Sequence, residues 1–197
     1  HVVLARLVPY KRIDLAVDAF NRLGRRLVVI GQGRDRARLE RLAGPSVELV
    51  GRLPRDRVLE LVARSRGLIW PGVEDFGLAP VEAMALGRPV IARRAGGVLD
   101  TVVEGATGVF FDDPTPQDLA AAVERADATS WQPGAIRAHA ERFSRARFER
   151  AFCAFVDEAL ADGERDGAVD RSGSARTGRD AADGCAVAAD PFGGGFH

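Results

Sequence analysis

Two glutamates, Glu74 and Glu82, stand with seven residues between them in the segment EDFGLAPVE, directly after an apolar run and before a helix-forming one. A strand that ends in a glycine-bearing loop and feeds a helix leaves unpaired backbone N–H groups at the helix start, where an anion can be held. Carboxylates repel phosphate but accept hydrogen bonds from hydroxyls, so a ligand carrying both sugar and phosphate would satisfy the whole segment. A second group lies in RLVPYKR, Arg6–Arg12: Arg6 closes an apolar run, Pro9 breaks it, and Lys11, the only lysine of the chain, opens a helical pattern. Cations in a first helical turn oppose the helix dipole by roughly 0.3 to 1 kcal/mol, which calls for a bound anion beside Lys11, with Arg6 as a second cation. Taken singly, Lys11 fits a solvated basic loop and Glu82 fits a favourable dipole contact. Their combination is what points to phosphate and sugar.

These residues need a scaffold that brings separate loops to one place. Short apolar runs at Val2–Leu7, Leu27–Ile30, Val47–Val50, Gly67–Trp70, Pro89–Ala92 and Val109–Phe111 alternate with helical patterns at Ile13–Leu23, Arg34–Ala43, Arg55–Arg64, Pro80–Leu86 and Gln117–Ala126. Continuously apolar strands alternating with helices predict an α/β fold: a Rossmann-like parallel sheet of about six strands covered by helices on both faces. Ligands of such sheets bind at the carboxyl ends of the strands, where the loops after Leu7, Ile30, Val50 and Trp70 gather.

Composition narrows the classes further. The 28 basic and 28 acidic side chains cancel, so no overall field draws the chain to nucleic acid or anionic lipid. Cys153 and Cys185 lack metal-ligand spacing and make no disulfide framework, which fits a reducing, cytoplasmic setting. No apolar run reaches the roughly 20 residues of a membrane span. Peripheral association with the inner membrane face stays open for a parent protein. His1, not methionine, opens directly into an apolar run, so the chain reads as the continuation of a longer protein. A helix about Ser144–Leu160 carries Phe148, Phe152, Phe155, Val156 and Ala159, and either packs on the domain or docks against a neighbour. Residues 1–161 are expected to form the domain, and 162–197, rich in Gly, Asp, Arg and Ser, a disordered tail.

Together the RLVPYK segment and its helix, VIGQG (Val29–Gly33), LVGRLP (Leu49–Pro54), EDFGLAPVEAMALGRPVIA (Glu74–Ala92), and the AGG and TGVFF segments beyond resemble family 4 (group 1) glycosyltransferases. The resemblance covers about residues 1–160 and is to the C-terminal, donor-binding half of the GT-B architecture. YKRIDLAVDAF and PGVEDFGLAPVEA are most similar to mannosyltransferases of bacterial polysaccharide synthesis.

The resemblance implies a retaining transferase with a nucleotide-diphospho-sugar donor, GDP-mannose-like in this subgroup, that needs no metal or other cofactor. It implies that Arg6 and Lys11 neutralise the donor diphosphate and that Glu74 meets the transferred sugar. Amides of Phe76, Gly77 and Leu78 would hold sugar or phosphate, Glu82 the ribose hydroxyls, and Arg52 and Leu53 the base. A glycan or lipid-linked acceptor would bind through an N-terminal domain that this chain lacks, so the fragment alone should bind donor weakly and transfer little. Gly96 and Gly97 lie on a loop that approaches the donor in the family. Gly72 stands where serine is common, and Asp100 where glutamate is frequent. His1, His139 and His197 are poorly placed for a general base. The alternatives are a noncatalytic sugar-nucleotide-binding module and a nicotinamide-dependent oxidoreductase; GQGRDR at Gly31–Arg36 lacks the third glycine that the latter's fingerprint needs.

Overall fold

The computed structural model describes residues 1–169, with the side chains of residues 1–161. The expected disorder of the tail concerns, from residue 170 on, positions outside the described residues. Six strands, β1 (Val2–Leu4), β2 (Leu27–Ile30), β3 (Val47–Gly51), β4 (Leu68–Trp70), β5 (Val90–Arg93) and β6 (Gly108–Phe111), form one sheet in the order β3-β2-β1-β4-β5-β6. Every pairing is parallel, with Val3 opposite Val29, Val2 opposite Leu68 and Ile69 opposite Ile91. The helices are α1 (Ile13–Leu23), α2 (Arg36–Leu42), α3 (Arg55–Arg64), α4 (Leu78–Ala85), α5 (Val98–Thr101), α6 (Pro116–Ala128), α7 (Pro133–Ala140) and α8 (Arg145–Val169).

Burial on both faces explains the unbroken apolar strands. Val3, Val29, Ile69, Ile91, Val109 and Phe111 point to one side, where they pack with Val17 and Phe20 of α1, Leu39 of α2 and Leu119 and Val123 of α6. Val2, Val28, Leu68, Trp70, Val90, Ala92 and Phe110 point to the other, against Val58 and Val62 of α3, Ala83 and Met84 of α4 and Ile136 of α7. Phe20, Phe111, Leu119 and Met84 are fully buried; truncating any one of them would cost about 2 to 5 kcal/mol. Helix ends are set locally. Gly24, at φ 61°, ends α1 by donating its N–H to the Phe20 carbonyl. Thr115 Oγ1 accepts the Asp118 N–H at 3.2 Å to start α6, and the Asp118 carboxylate in turn accepts the amides of Asp112 and Asp113.

Most boundaries shift by a residue or two from the sequence reading, and three differences bear on the site or the fold. β1 stops at Leu4, although Ala5 and Leu7 still donate to the carbonyls of Ile30 and Gln32 as the chain bends away. α4 starts at Leu78, two residues early, because Pro80 is compatible with a first helical turn. The short α5 was not expected. The chain divides into two compact units, His1–Arg150 and the remainder. All candidate site residues lie in the first; in the second, α8 continues as helix to Val169, and Phe152, Phe155 and Leu160 are exposed.

The strand order fixes where a ligand can sit. From β1 the chain winds outward to β3, then crosses back to β4 and winds the other way, so the crevice of the sheet opens between the carboxyl ends of β1 and β4. Those two ends carry Arg6–Lys11 and Glu74.

Candidate functional site

After β1 the chain makes a single 3₁₀ turn, Pro9–Lys11, with proline at its first position, and Arg12 then enters the left-handed region at φ 51° before α1 begins at Ile13. Lys11 therefore lies before α1 and not in its first turn, which corrects the helix-dipole argument made for it above. A left-handed arginine is a strained conformation that surrounding contacts must hold. The Arg12 N–H donates to the Pro9 carbonyl at 3.0 Å, and Arg12 Nε reaches Asp14 Oδ1 at 3.3 Å.

The turn aims Lys11 across the crevice. Its ammonium pairs with Glu74 and lies 5.0 Å from the ring centroid of Trp70 and 5.3 Å from that of Tyr10. Both members of the pair are sheltered, with side chains 12% and 25% exposed, so water screens the attraction less than at an open surface. Arg6 lies on the same loop, exposed and without an ion pair among the described residues.

The loop from β4 to α4 is shaped by glycines that admit neighbouring backbone. A Cβ on Gly72 would fall 2.8 Å from Lys11 Cα and 2.9 Å from the Lys11 carbonyl oxygen, so the glycine here lets the Lys11 turn press against the loop. On the far side, Gly97 N–H donates to the Glu74 carbonyl at 2.8 Å, and a Cβ on Gly97 would lie 2.0 Å from the Asp75 carbonyl oxygen. The AGG segment thus clamps the loop that carries Glu74. Gly77, at φ 82°, turns that loop into α4 without a side-chain cap, leaving the helix-start amides of Leu78 and Ala79 outside the helix's own bonding. Phe76 and Leu78 are 43% and 57% exposed at this mouth, and Phe76 stands edge-on to Phe143.

Glu82 sits in the second turn of α4, and the first turn holds no acidic residue. The dipole explanation for it therefore falls away. Its Oε1 accepts a hydrogen bond from Arg55 Nη2 at 3.0 Å. Arg55 is the first residue of α3 and was missed in the sequence, since nothing in its spacing links it to a residue 27 positions later. Arg52 and Leu53 lie on the preceding loop, Arg52 exposed and Leu53 partly buried against the α3–α4 side of the sheet. The structure thus brings Lys11 and Glu74 into contact, continues from Glu74 into the Phe76–Leu78 segment, and places Glu82 on α4, which that segment opens. Arg6, on the Lys11 loop, and Arg52, on the loop after β3, are exposed and make no ion pair with these groups among the described residues.

His139 Nε2 is engaged with the Thr101 carbonyl oxygen at 2.8 Å, a link between α7 and α5. Among the described residues, two concavities bear on the site's surroundings. One of about 330 Å³, mostly apolar, runs beside Glu82, between α4 and the α7 region at Arg137 and Phe143. The other, about 380 Å³ and lined by His1, Arg26, Arg57 and Arg64, contains no residue of the candidate site. Among the described residues no group of three His, Cys, Asp or Glu side chains could hold a metal ion, and no helix is long and apolar enough to cross a membrane.

The profile of the family described as "Glycosyl transferases group 1" matches residues 1–140. The chain belongs to the group 1 glycosyltransferases. Among curated members similar to this group 1 glycosyltransferase is the GDP-mannose-dependent α-(1-6)-phosphatidylinositol monomannoside mannosyltransferase of Mycolicibacterium smegmatis, 33% identical, covering 62% of this chain and 37% of the relative. A glycogen synthase of Pseudomonas aeruginosa is 37% identical, over 63% of this chain and 26% of its own. The chain thus spans about a third of the length of such relatives. The fold is also that of a glycosyltransferase from Rickettsia africae, with TM-score 0.71 at 20% identity over 81% of this chain and 48% of the other. The HepE protein of Anabaena, solved with UDP-glucose, gives 0.68 at 23% identity over 80% and 48%.

Proposed function

We propose that this chain is the donor-binding, C-terminal half of a retaining family 4 glycosyltransferase of the GT-B type, which takes a nucleotide-diphospho-sugar and passes the sugar to a glycan or lipid-linked acceptor. The observation that carries the reading is the meeting of Lys11 and Glu74 across the β1–β4 crevice, flanked by the uncapped start of α4. A fold of this kind serves many chemistries, so the reading rests on these side chains and not on the sheet. In it, Lys11 and Arg6 take the diphosphate, where charge grows as the bond from the sugar's anomeric carbon to the phosphate oxygen breaks. Glu74 passes from Lys11 to hydroxyls of the sugar. The amides of Phe76, Gly77 and Leu78 hold sugar or phosphate, Glu82 accepts the ribose hydroxyls, and Arg52 and Leu53 border the base.

The acceptor hydroxyl attacks from the face the phosphate leaves, and its proton passes to the departing phosphate oxygen, so no protein base is required. Positive side chains supply the charge compensation in this scheme, which uses no metal. A GDP-mannose-like donor is favoured by the mycobacterial relative and by the YKRIDLAVDAF and PGVEDFGLAPVEA segments. A polysaccharide-building role in the cytoplasm, with the parent at the inner membrane face, follows the same likeness. An acceptor-binding domain upstream would complete the enzyme, and this chain alone is expected to be inactive. The glycine-rich GQG segment is given over to packing, since a Cβ on Gly33 would lie 2.1 Å from the Leu7 carbonyl oxygen; that argues against a dinucleotide cradle.

Calorimetric titration of GDP, UDP and ADP, then GDP-mannose and UDP-glucose, into the folded chain tests the proposal. Binding of at least one nucleoside diphosphate, weakened in Lys11→Ala and Glu82→Ala, is expected. A folded chain that takes none of them sinks the site assignment, and a parent protein that binds donor without ever transferring sugar is a noncatalytic module.

A further inference from the structure

Trp70 is the last residue of β4 and is only 5% exposed. Its register partner on β5 is Ala92, whose small side chain leaves room for an indole. The ring meets both halves of the crevice at once. Lys11 Nζ lies 5.0 Å from its centroid, and a Cβ on Gly77 would lie 3.5 Å from its Cζ2. Trp70 Nε1 is buried without a hydrogen-bond partner among the described residues, whereas the other tryptophan, Trp131, donates to the Ala126 carbonyl at 2.8 Å. An unpaired buried N–H is a cost that a phenylalanine or leucine in a purely structural position would not carry. What those residues lack or weaken is the electron-rich face, which is strongest in indole.

Resting on the donor-site reading above, we propose that Trp70 is a positioning residue of the anion site: its indole face holds the Lys11 ammonium over the crevice when Glu74 turns from Lys11 to the sugar. Without that face, loss of the Glu74 partner leaves a long flexible side chain to reorder itself for each ligand. With it, one contact of Lys11 persists through the exchange of partners. Tyr10 offers a second ring at 5.3 Å but is 60% exposed, so its hold on the cation is the weaker of the two.

Two measurements on the 197-residue chain test this. In the first, the affinity for the better-bound of GDP and UDP is measured by calorimetry. Trp70→Leu should weaken it roughly tenfold, Trp70→Phe should recover only part of the loss, and Tyr10→Leu should change it by about twofold or less. In the second, Trp131→Phe leaves Trp70 as the only indole, untouched. Saturating diphosphate should then shift its emission, because the charge over the ring changes, and Lys11→Ala in the same background should remove most of that shift. Wild-type affinity in a folded Trp70→Leu chain overturns the proposal, and so does an emission spectrum indifferent to bound diphosphate, which remains readable if Trp70→Leu does not fold. Absence of any nucleoside diphosphate binding to the folded wild-type chain overturns this proposal together with the donor-site reading, whereas binding with unchanged emission overturns this one alone.

Discussion

Arg55 and Glu82 join the first residue of α3 to the second turn of α4 through an Nη2–Oε1 contact of 3.0 Å, across 27 positions of sequence. Arg55 is 58% exposed and Glu82 33%, so the pair adds little to stability; exposed pairs contribute about 0 to 1 kcal/mol. Its consequence is orientation, because a carboxylate held on one oxygen keeps the other for a ligand.

Arg55→Ala is therefore expected to leave the urea midpoint almost unchanged, with a stability loss under about 1 kcal/mol. The same substitution should weaken nucleoside diphosphate binding, and should do so less for a 2′,3′-dideoxy nucleotide that offers Glu82 no hydroxyls. An equal loss for both nucleotides would separate Arg55 from the ribose.

Lys11 and Glu74 should respond in opposite senses to a ligand that lacks the transferred sugar. Lys11→Ala removes a charge-assisted contact to the diphosphate and should weaken GDP or UDP binding by about 10- to 100-fold, the equivalent of roughly 1.5 to 3 kcal/mol. Glu74→Gln frees Lys11 from its partner, so the bare nucleoside diphosphate should bind at least as well as before while the sugar nucleotide loses its advantage. Calorimetry with both ligands on both variants reads the difference.

Gly97→Ala pushes a methyl group into the Asp75 carbonyl, 2.0 Å away, so the loop must move. A stability loss of about 1 to 3 kcal/mol is expected from such overpacking, together with weaker donor binding, measurable by denaturant titration and calorimetry. A stable variant with wild-type affinity would show that the AGG clamp does not set the position of Glu74.

Gly72→Ser introduces the residue common at this place in the resembling family. Here the added Cβ meets Lys11 Cα at 2.8 Å, so the turn bearing Lys11 has to retreat. The expected result is a weaker diphosphate affinity with smaller change for a nucleoside, compared by titrating GDP and guanosine in parallel.

Much of the architecture was legible because parallel strands buried on both faces are continuous apolar runs, and all six were placed on that signal. α5 was not, since four residues show no periodicity. The helix-dipole reason given for Lys11 does not hold: Pro9 starts a separate 3₁₀ turn and Arg12 breaks it from α1, which periodicity alone does not reveal. Arg55, Trp70 and the clamping role of Gly97 act through contacts between segments distant in sequence. No local spacing encodes them: Trp70 meets Lys11 because β1 pairs with β4, and Gly97 meets the Glu74 loop because β4 pairs with β5.

Lys11 is the only lysine in the chain, and its Nζ is enclosed by a carboxylate and two rings. Side-chain amine chemistry on this molecule accordingly has a single address. The rate at which a small acylating reagent consumes that amine becomes a clock for how often Glu74 lets go, and a bound diphosphate should slow the clock without any substitution being made.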